Sequence, residues 1–261
     1  MDIDIHKKKF GSQARNYTKY RLPYIPEVHD LFFALLQRDE AAVLDVACGT
    51  GKSTEPLARD GFEVTGVDHD PLMIAEAENQ ATQKGLPVVY MTANAEELPF
   101  AEDTFDAVTV GTAFHWFANE RALSELRRVL VPDGLLFVYW TLTTKDVPDQ
   151  DRIPPAILEK YNWERVPPEL RDLNHIATLL AGQGLHNVDT VRLPFVHNDT
   201  VEDQVGLMKT ASSYEVLADT EKANFIAEIT EVLTKQLGTR SHFTYEEEIQ
   251  VCYGFNSHTR L

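Results

Sequence analysis

A chain of 261 residues, 43% hydrophobic and 25% charged, has the composition of a soluble globular protein and can bury a full core as one α/β domain with a modest addition. Its formal net charge of −17 repels a phosphate backbone and argues against a nucleic-acid substrate, leaving the basic run Lys7-Lys8-Lys9 as a solvated N-terminal segment. The first ten residues lack the apolar run of a leader, no stretch is apolar enough to span a bilayer, and the two isolated cysteines, Cys48 and Cys252, supply neither a zinc cluster nor a disulfide framework. A cytoplasmic protein in a reducing compartment is expected, with no membrane partner and an oligomeric state that the residues leave open.

In chain order, Phe10 to Arg21 is aromatic and basic. Pro26 opens a helix through Arg38, with Val28, Leu31, Phe32, Leu35 and Leu36 on one face. A strand follows at Ala42 to Val46, then a short helix near Ser53, a strand from Phe62 to Val67, and a helix from Leu72 to Lys84 that Gly85 ends. Val88 to Met91 and Ala107 to Gly111 are the next strands. Asn119 caps a helix through Leu130, and Leu135 to Trp140 is the fifth strand. Strands alternating with helices imply a parallel sheet covered on both faces. Beyond Trp140 the alternation breaks. Thr141 to Pro168 is rich in prolines and acids, a helix runs from Leu170 to Ala181, and Val188 to Val196 is the sixth strand. Val201 to Leu237 is helical with a joint near Asp219, and Glu248 to Phe255 is the last strand.

The stretch Val43-Leu44-Asp45-Val46-Ala47-Cys48-Gly49-Thr50-Gly51 is a buried strand that ends in an acid and breaks into a glycine turn. The second strand, Val64-Thr65-Gly66-Val67-Asp68, also ends in an acid. Three ligands compete for such a turn. Gly51-Lys52-Ser53 mimics the end of a P-loop, but the glycine required five positions earlier is Val46. A dinucleotide fingerprint is met at Gly49 and Gly51 but has Thr54 at its third glycine. Both of those ligands would bring phosphate against Asp45. S-adenosylmethionine carries no phosphate: an acid at the first strand end suits its cationic portion, and the glycines allow a close backbone approach. Asp68, about 20 residues beyond the turn, can accept the ribose hydroxyls.

On these residues the chain resembles the class I S-adenosylmethionine-dependent methyltransferases, especially the small-molecule branch called methyltransferase type 11, from about Val43 to Trp140. Asp45 to Gly51 resembles the first motif, with Ala47 where glycine is usual. Gly66-Val67-Asp68-His69-Asp70-Pro71-Leu72-Met73 resembles the ribose segment, in which a Met or Leu packs on the adenine. Asn94-Ala95-Glu96-Glu97-Leu98-Pro99-Phe100 resembles the adenine-side loop, with Asn94 in place of Asp; its amide oxygen can still accept from the adenine amino group. Phe105 to Val108 resembles the fourth strand, and Arg128 to Leu136 the turn into the fifth, with Asp133 for a usual glycine. The resemblance implies a Rossmann-like fold, a mostly parallel seven-stranded sheet whose last strand is antiparallel. One methyltransferase domain would span 1–261: a helical N-terminal cap at 1–40, a cofactor core at 41–140, and the rest of the sheet with lid insertions at 141–169 and 200–245. It also implies S-adenosylmethionine as cofactor, S-adenosylhomocysteine as product, and cofactor contacts at Asp45, Ala47, Gly49, Gly51, Asp68, His69, Met73, Asn94, Ala95 and Gly111.

His115, in Phe114-His115-Trp116, follows the fourth strand at the edge where the transferred methyl group would point. Methyl transfer needs positioning and, for a neutral nucleophile, a proton acceptor, and histidine serves near neutral pH. His115 is either that acceptor or an orienting group. Tyr17, Tyr20, Arg21, Trp116, Trp140 and Tyr214 are candidate substrate contacts. The scattered histidines have no metal-ligand spacing, so no metal is expected. The expected activity is methylation of an oxygen or nitrogen on a small molecule, such as an organic acid or a secondary metabolite. An inactive cofactor-binding partner subunit and an NAD-dependent oxidoreductase are the alternatives.

Overall fold

A computed structural model describes residues 10–143, 153–163 and 167–257. The run Lys7-Lys8-Lys9 and parts of the 141–169 segment lie outside these residues. In chain order the helices are α1 (Ala14–Tyr20), α2 (Pro26–Leu36), α3 (Thr54–Arg59), α4 (Pro71–Lys84), α5 (Glu120–Arg128), α6 (Pro155–Lys160), α7 (Leu173–Gly182), α8 (Val201–Lys209), α9 (Ser212–Glu215) and α10 (Asp219–Leu237). The strands are β1 (Ala42–Val46), β2 (Glu63–Asp68), β3 (Val88–Thr92), β4 (Phe105–Gly111), β5 (Leu130–Thr143), β6 (Leu185–Asp199) and β7 (Phe243–Asn256). They form a seven-stranded sheet in the order β3-β2-β1-β4-β5-β7-β6. β1 to β5 pair in parallel, and the C-terminal strands run antiparallel.

The described residues divide into two compact units. The larger draws on residues within Pro23–Thr141, Val166–Leu193 and Ile249–Leu261. Its central strand, β1, is apolar on both faces: Val43, Leu44 and Val46 are sealed from solvent, as a parallel strand covered on two sides requires. Phe32 of α2 packs edge-on against Phe137 of β5, with ring centroids 5.4 Å apart. Asp70 caps α4 through the Leu72 amide, Gly85 closes it in the left-handed conformation, and Asn119 caps α5 through the Ala122 amide. α5 stops at Arg128, short of the expected Leu130, because Leu130 already pairs with Phe105 of β4. Pairing overrides the helical period there, and Asp133 turns the chain at a positive φ of 57° before β5 resumes its register at Leu135.

The smaller unit draws on residues within Met1–Leu22, Leu142–Arg165 and Pro194–Glu248. Its core gathers Ile157, Tyr161, Tyr214, Phe225, Ile229 and Phe243. Pro155 opens α6 within a stretch expected to be irregular, and α10 begins at the expected joint, Asp219, with an extra short helix, α9, before it. A capping box between Thr200 and Asp203 starts α8. Within α8, Gly206 lies under the Tyr20 ring so closely that a Cβ would meet it at 2.2 Å. This glycine therefore exists for helix approach, not for a turn.

On this unit's part of β6, His197 bridges two carboxylates, with Nδ1 3.0 Å from Asp199 and Nε2 3.3 Å from Glu247. Its ring stacks on Phe195 and Tyr245. Burial pulls the imidazole pKa down, but the two carboxylates more than reverse that and lift it to about 9. A raised folded-state pKa stabilises the fold fully below the ordinary value of 6.5 and loses that contribution as the pH rises through 9. Thermal melts should therefore show His197→Gln melting several degrees below the parent at pH 6.5, with the gap closing by about pH 10.

Candidate nucleoside-binding site

Where β1 ends, the chain turns over Ala47, Gly49 and Gly51, with φ values of 58°, 55° and 85°. The turn is tied to the neighbouring strand: the Cys48 amide donates to Val67 O at 3.0 Å, and the Gly49 amide to Asp68 Oδ2 at 3.0 Å. The other Asp68 oxygen accepts the Asp70 amide at 2.9 Å and lies 3.2 Å from His69 Nδ1. The two residues that stand where the family usually has glycine, Ala47 and Asp133, both lie in the left-handed region, which is why glycine is usual there.

Asp45 is sealed from solvent. Its Oδ2 accepts from Ser53 Oγ at 2.6 Å and from Thr54 Oγ1 at 2.5 Å. Its Oδ1, like Thr50 Oγ1, has no hydrogen-bond partner among the described residues. Burial raises the Asp45 pKa to about 7 against the opposing pull of the two hydroxyls. These contacts account for both failed motifs. The serine that a P-loop would present to a nucleotide's metal is spent on Asp45, and Thr54 stands at the third glycine position because its hydroxyl is the second donor.

Gly51 and Gly66 have a further cause, in Tyr90 of β3. A Cβ on Gly51 would meet the Tyr90 hydroxyl at 2.5 Å, and one on Gly66 would meet its ring at 2.6 Å. Gly66 is the register partner of Tyr90, so a strand glycine opposite an aromatic was the available sequence signal. The expectation that Gly51 exists for ligand approach thus acquires a second reason, packing under Tyr90. Tyr24 and Tyr139 were likewise missed. Their hydroxyls crowd Gly111, their rings meet edge-on at 4.6 Å, and Tyr24 hydrogen-bonds Thr112 Oγ1 at 2.9 Å. Thr112 holds a φ of 55°, uncommon for a β-branched residue.

The structure thus gathers Asp45, Ala47, Gly49, Gly51, Asp68 and His69 at the carboxyl ends of β1 and β2. The loop with Asn94 and Ala95 joins them through the Ala93 amide, which donates to Asp68 O at 3.0 Å; Asn94 is exposed and Ala95 buried. Met73 is buried on α4, while its neighbour Leu72 is 57% exposed. Gly111 ends β4, and His115 follows on a single 3₁₀ turn, Phe114–Trp116, with its ring 4.7 Å from Trp116. Trp140 is buried on β5, and its indole nitrogen has no partner among the described residues. Tyr17, Tyr20, Arg21 and Tyr214 belong to the smaller unit. There Arg21 lies over the Tyr17 ring and donates to Thr210 Oγ1 at 2.9 Å, Tyr20 packs on Gly206, and Tyr214 joins the core. Among the described residues, no group of three or more His, Cys, Asp or Glu could hold a metal ion, and no helix is long and apolar enough to cross a membrane.

A mostly parallel sheet with an acid and glycine turn after β1 and a second acid closing β2 defines a Rossmann-like, nucleoside-binding architecture. Residues 44–138 match the family described as methyltransferase domain. An uncharacterized methyltransferase-like protein of Schizosaccharomyces pombe is 29% identical over 256 residues, covering 97% of this chain and 95% of that protein. The demethylmenaquinone methyltransferase of Thermus thermophilus is 43% identical over 106 residues, 40% of this chain and 48% of the enzyme, so the chain matches only about half of that relative. Among solved structures, a Haemonchus contortus phosphoethanolamine N-methyltransferase in complex with phosphomonomethylethanolamine and S-adenosylhomocysteine shares the fold. Its TM-score is 0.59 at 14% identity, with 95% of this chain and 58% of that chain covered.

Two outcomes follow from the turn. A raised Asp45 pKa means that the fold loses stability as pH climbs from the ordinary carboxylate value of 3.8 through about 7. Asp45→Asn should accordingly raise the melting temperature at pH 8 by about 2 °C or more and leave it nearly unchanged at pH 4. Ala47→Gly should relieve the left-handed strain by about 1 kcal/mol, partly offset by the freer unfolded chain, and urea unfolding would register a midpoint no lower than the parent's.

Proposed function

We propose that the protein is an S-adenosylmethionine-dependent methyltransferase acting on an oxygen or nitrogen of a small molecule. The observation that carries this is Asp45: a buried carboxylate with one oxygen unpartnered, at the mouth of a two-glycine turn and one strand from a second acid. Such a site suits a ligand that brings a cation and a ribose, and repels one that brings phosphate. Asp45 Oδ1 would take the ammonium of the cofactor's amino-acid end, directly or through one water. Asp68 would take the ribose hydroxyls, and the Asn94 loop would face the base. Bound there, the cofactor supplies a methyl group made electrophilic by a sulfonium.

What remains for the chain is to orient the acceptor and receive its proton. His115, beyond β4, would take that proton when the nucleophile is a neutral hydroxyl or amine, and would orient a nucleophile that is already anionic. Relatives support the acceptor class. The Thermus enzyme is named for demethylmenaquinone and the Haemonchus enzyme for phosphoethanolamine, both small molecules. The net charge of −17 disfavours a nucleic acid. An inactive partner subunit would bind the same cofactor and give no product.

Calorimetric titration with S-adenosylhomocysteine, with NAD and ATP in parallel, tests the proposal. Binding of S-adenosylhomocysteine alone is expected, reduced at least tenfold in Asp68→Ala. Pairing with an ammonium lowers the Asp45 pKa, so affinity should rise between pH 6 and about 7.5 and then level off, with proton release at the lower pH. Binding of NAD or ATP instead would overturn the assignment of the turn. Binding without turnover on any acceptor, unchanged in His115→Ala, would favour the partner-subunit alternative.

A further inference from the structure

α5 begins four residues after the His115 turn ends at Trp116, and one of its faces is fastened to the loop Asn94–Phe100 that follows β3. Glu125 Oε2 accepts the Leu98 amide at 2.8 Å. Arg128 donates to Phe100 O at 2.7 Å and to Leu98 O at 3.1 Å. A two-pronged pair with Glu125, at 2.6 and 2.8 Å, holds both side chains in place. Nearer the helix start, Arg121 donates to Glu96 O at 2.9 Å and Asn119 to Glu96 Oε1 at 3.2 Å. The Arg128 guanidinium keeps the Glu125 carboxyl below its ordinary range, so the pair is charged at neutral pH.

The place of this loop gives the clamp a use beyond stability. The strand order β3-β2-β1-β4 puts the glycine turn after β1, Asp68 at the end of β2, and the loop at the end of β3. If the amino-acid end of the ligand lies at the turn and the ribose at Asp68, the base extends toward β3 and meets this loop. Asn94 is exposed there, and its backbone bridges to Glu97, inside the clamped segment. A loop of this kind, left to itself, samples many conformations, and a base contact made from it would cost ordering entropy on binding.

We propose that Glu125 and Arg128 are positioning residues for the cofactor's base: they touch no ligand, but hold the Asn94 loop in the shape that receives it. This rests on the proposed cofactor site.

A double-mutant cycle on S-adenosylhomocysteine affinity, measured by calorimetry beside thermal melts, separates positioning from general stability. Asn94→Ala alone should weaken binding. Glu125→Ala should weaken it about tenfold in the parent and less than about twofold in the Asn94→Ala background, because its effect passes through that loop. Glu125→Gln keeps an oxygen to receive the Leu98 amide and should retain most of the affinity. Should Glu125→Ala fail to fold, Arg121→Ala, on the exposed arm of the clamp, takes its place in the same cycle with a smaller expected loss of about threefold. Equal losses in both backgrounds, or no loss in a folded variant, would overturn the positioning role while leaving the cofactor assignment intact. Absence of binding by the parent protein would remove the cofactor assignment, and this inference with it.

Discussion

The candidate site is built around a carboxylate that bulk water does not reach. Asp45 ends the central strand, where the parallel sheet leaves no room for solvent, and an ionised acid in such a place is costly unless it is met by donors. Ser53 and Thr54 meet half of that demand, through one oxygen. The other oxygen is left over, and the carboxyl accordingly sits near the middle of the pH scale. A natural chain that keeps such a group gives up stability at its site, as functional sites commonly do.

The turn beside it is shaped by several demands at once. Its amide at Gly49 secures the second acid, Asp68, so the two acids are joined by backbone rather than by side-chain chance. Its left-handed positions take Ala47 as well as glycines, and the loop past β3 is fixed from the opposite side by α5. The turn, Asp68 and the loop thus stand at three adjacent strand ends, the place where ligand crevices form in open parallel sheets.

The order of elements through β4 was legible because the apolar runs, caps and terminators there are local: Asp70, Gly85 and Asn119 act within one helical turn of their own positions. Both strand-end acids could be located from the same pattern. What escaped depends on partners distant in the chain. Tyr90 explains Gly51 and Gly66 only once β3 lies beside β2, and Tyr24 and Tyr139 surround Gly111 only after α2 and β5 have packed. Leu130 looks like the end of an apolar helical face, and only its pairing with Phe105 makes it a strand. Gly206 in α8 has no local signature at all, since its reason is the ring of Tyr20. The proline-rich stretch after Trp140 hid α6 because short helices there are stabilised by the Phe225 and Tyr161 cluster rather than by propensity.

Tyr90 lies on β3, the outermost strand on its side of the sheet, paired to β2 alone. Peripheral strands open at a lower free energy than central ones. The ring that fills the space above Gly51 and Gly66 is therefore carried by the part of the sheet most ready to fray. Each excursion of β3 would lift the phenol away and leave the glycine turn free to wander among the conformations that its missing side chains permit. The rigidity of the turn is borrowed from an edge, and its lifetime is that of the edge, even though the turn itself springs from a strand sealed from solvent at Val43, Leu44, Asp45 and Val46.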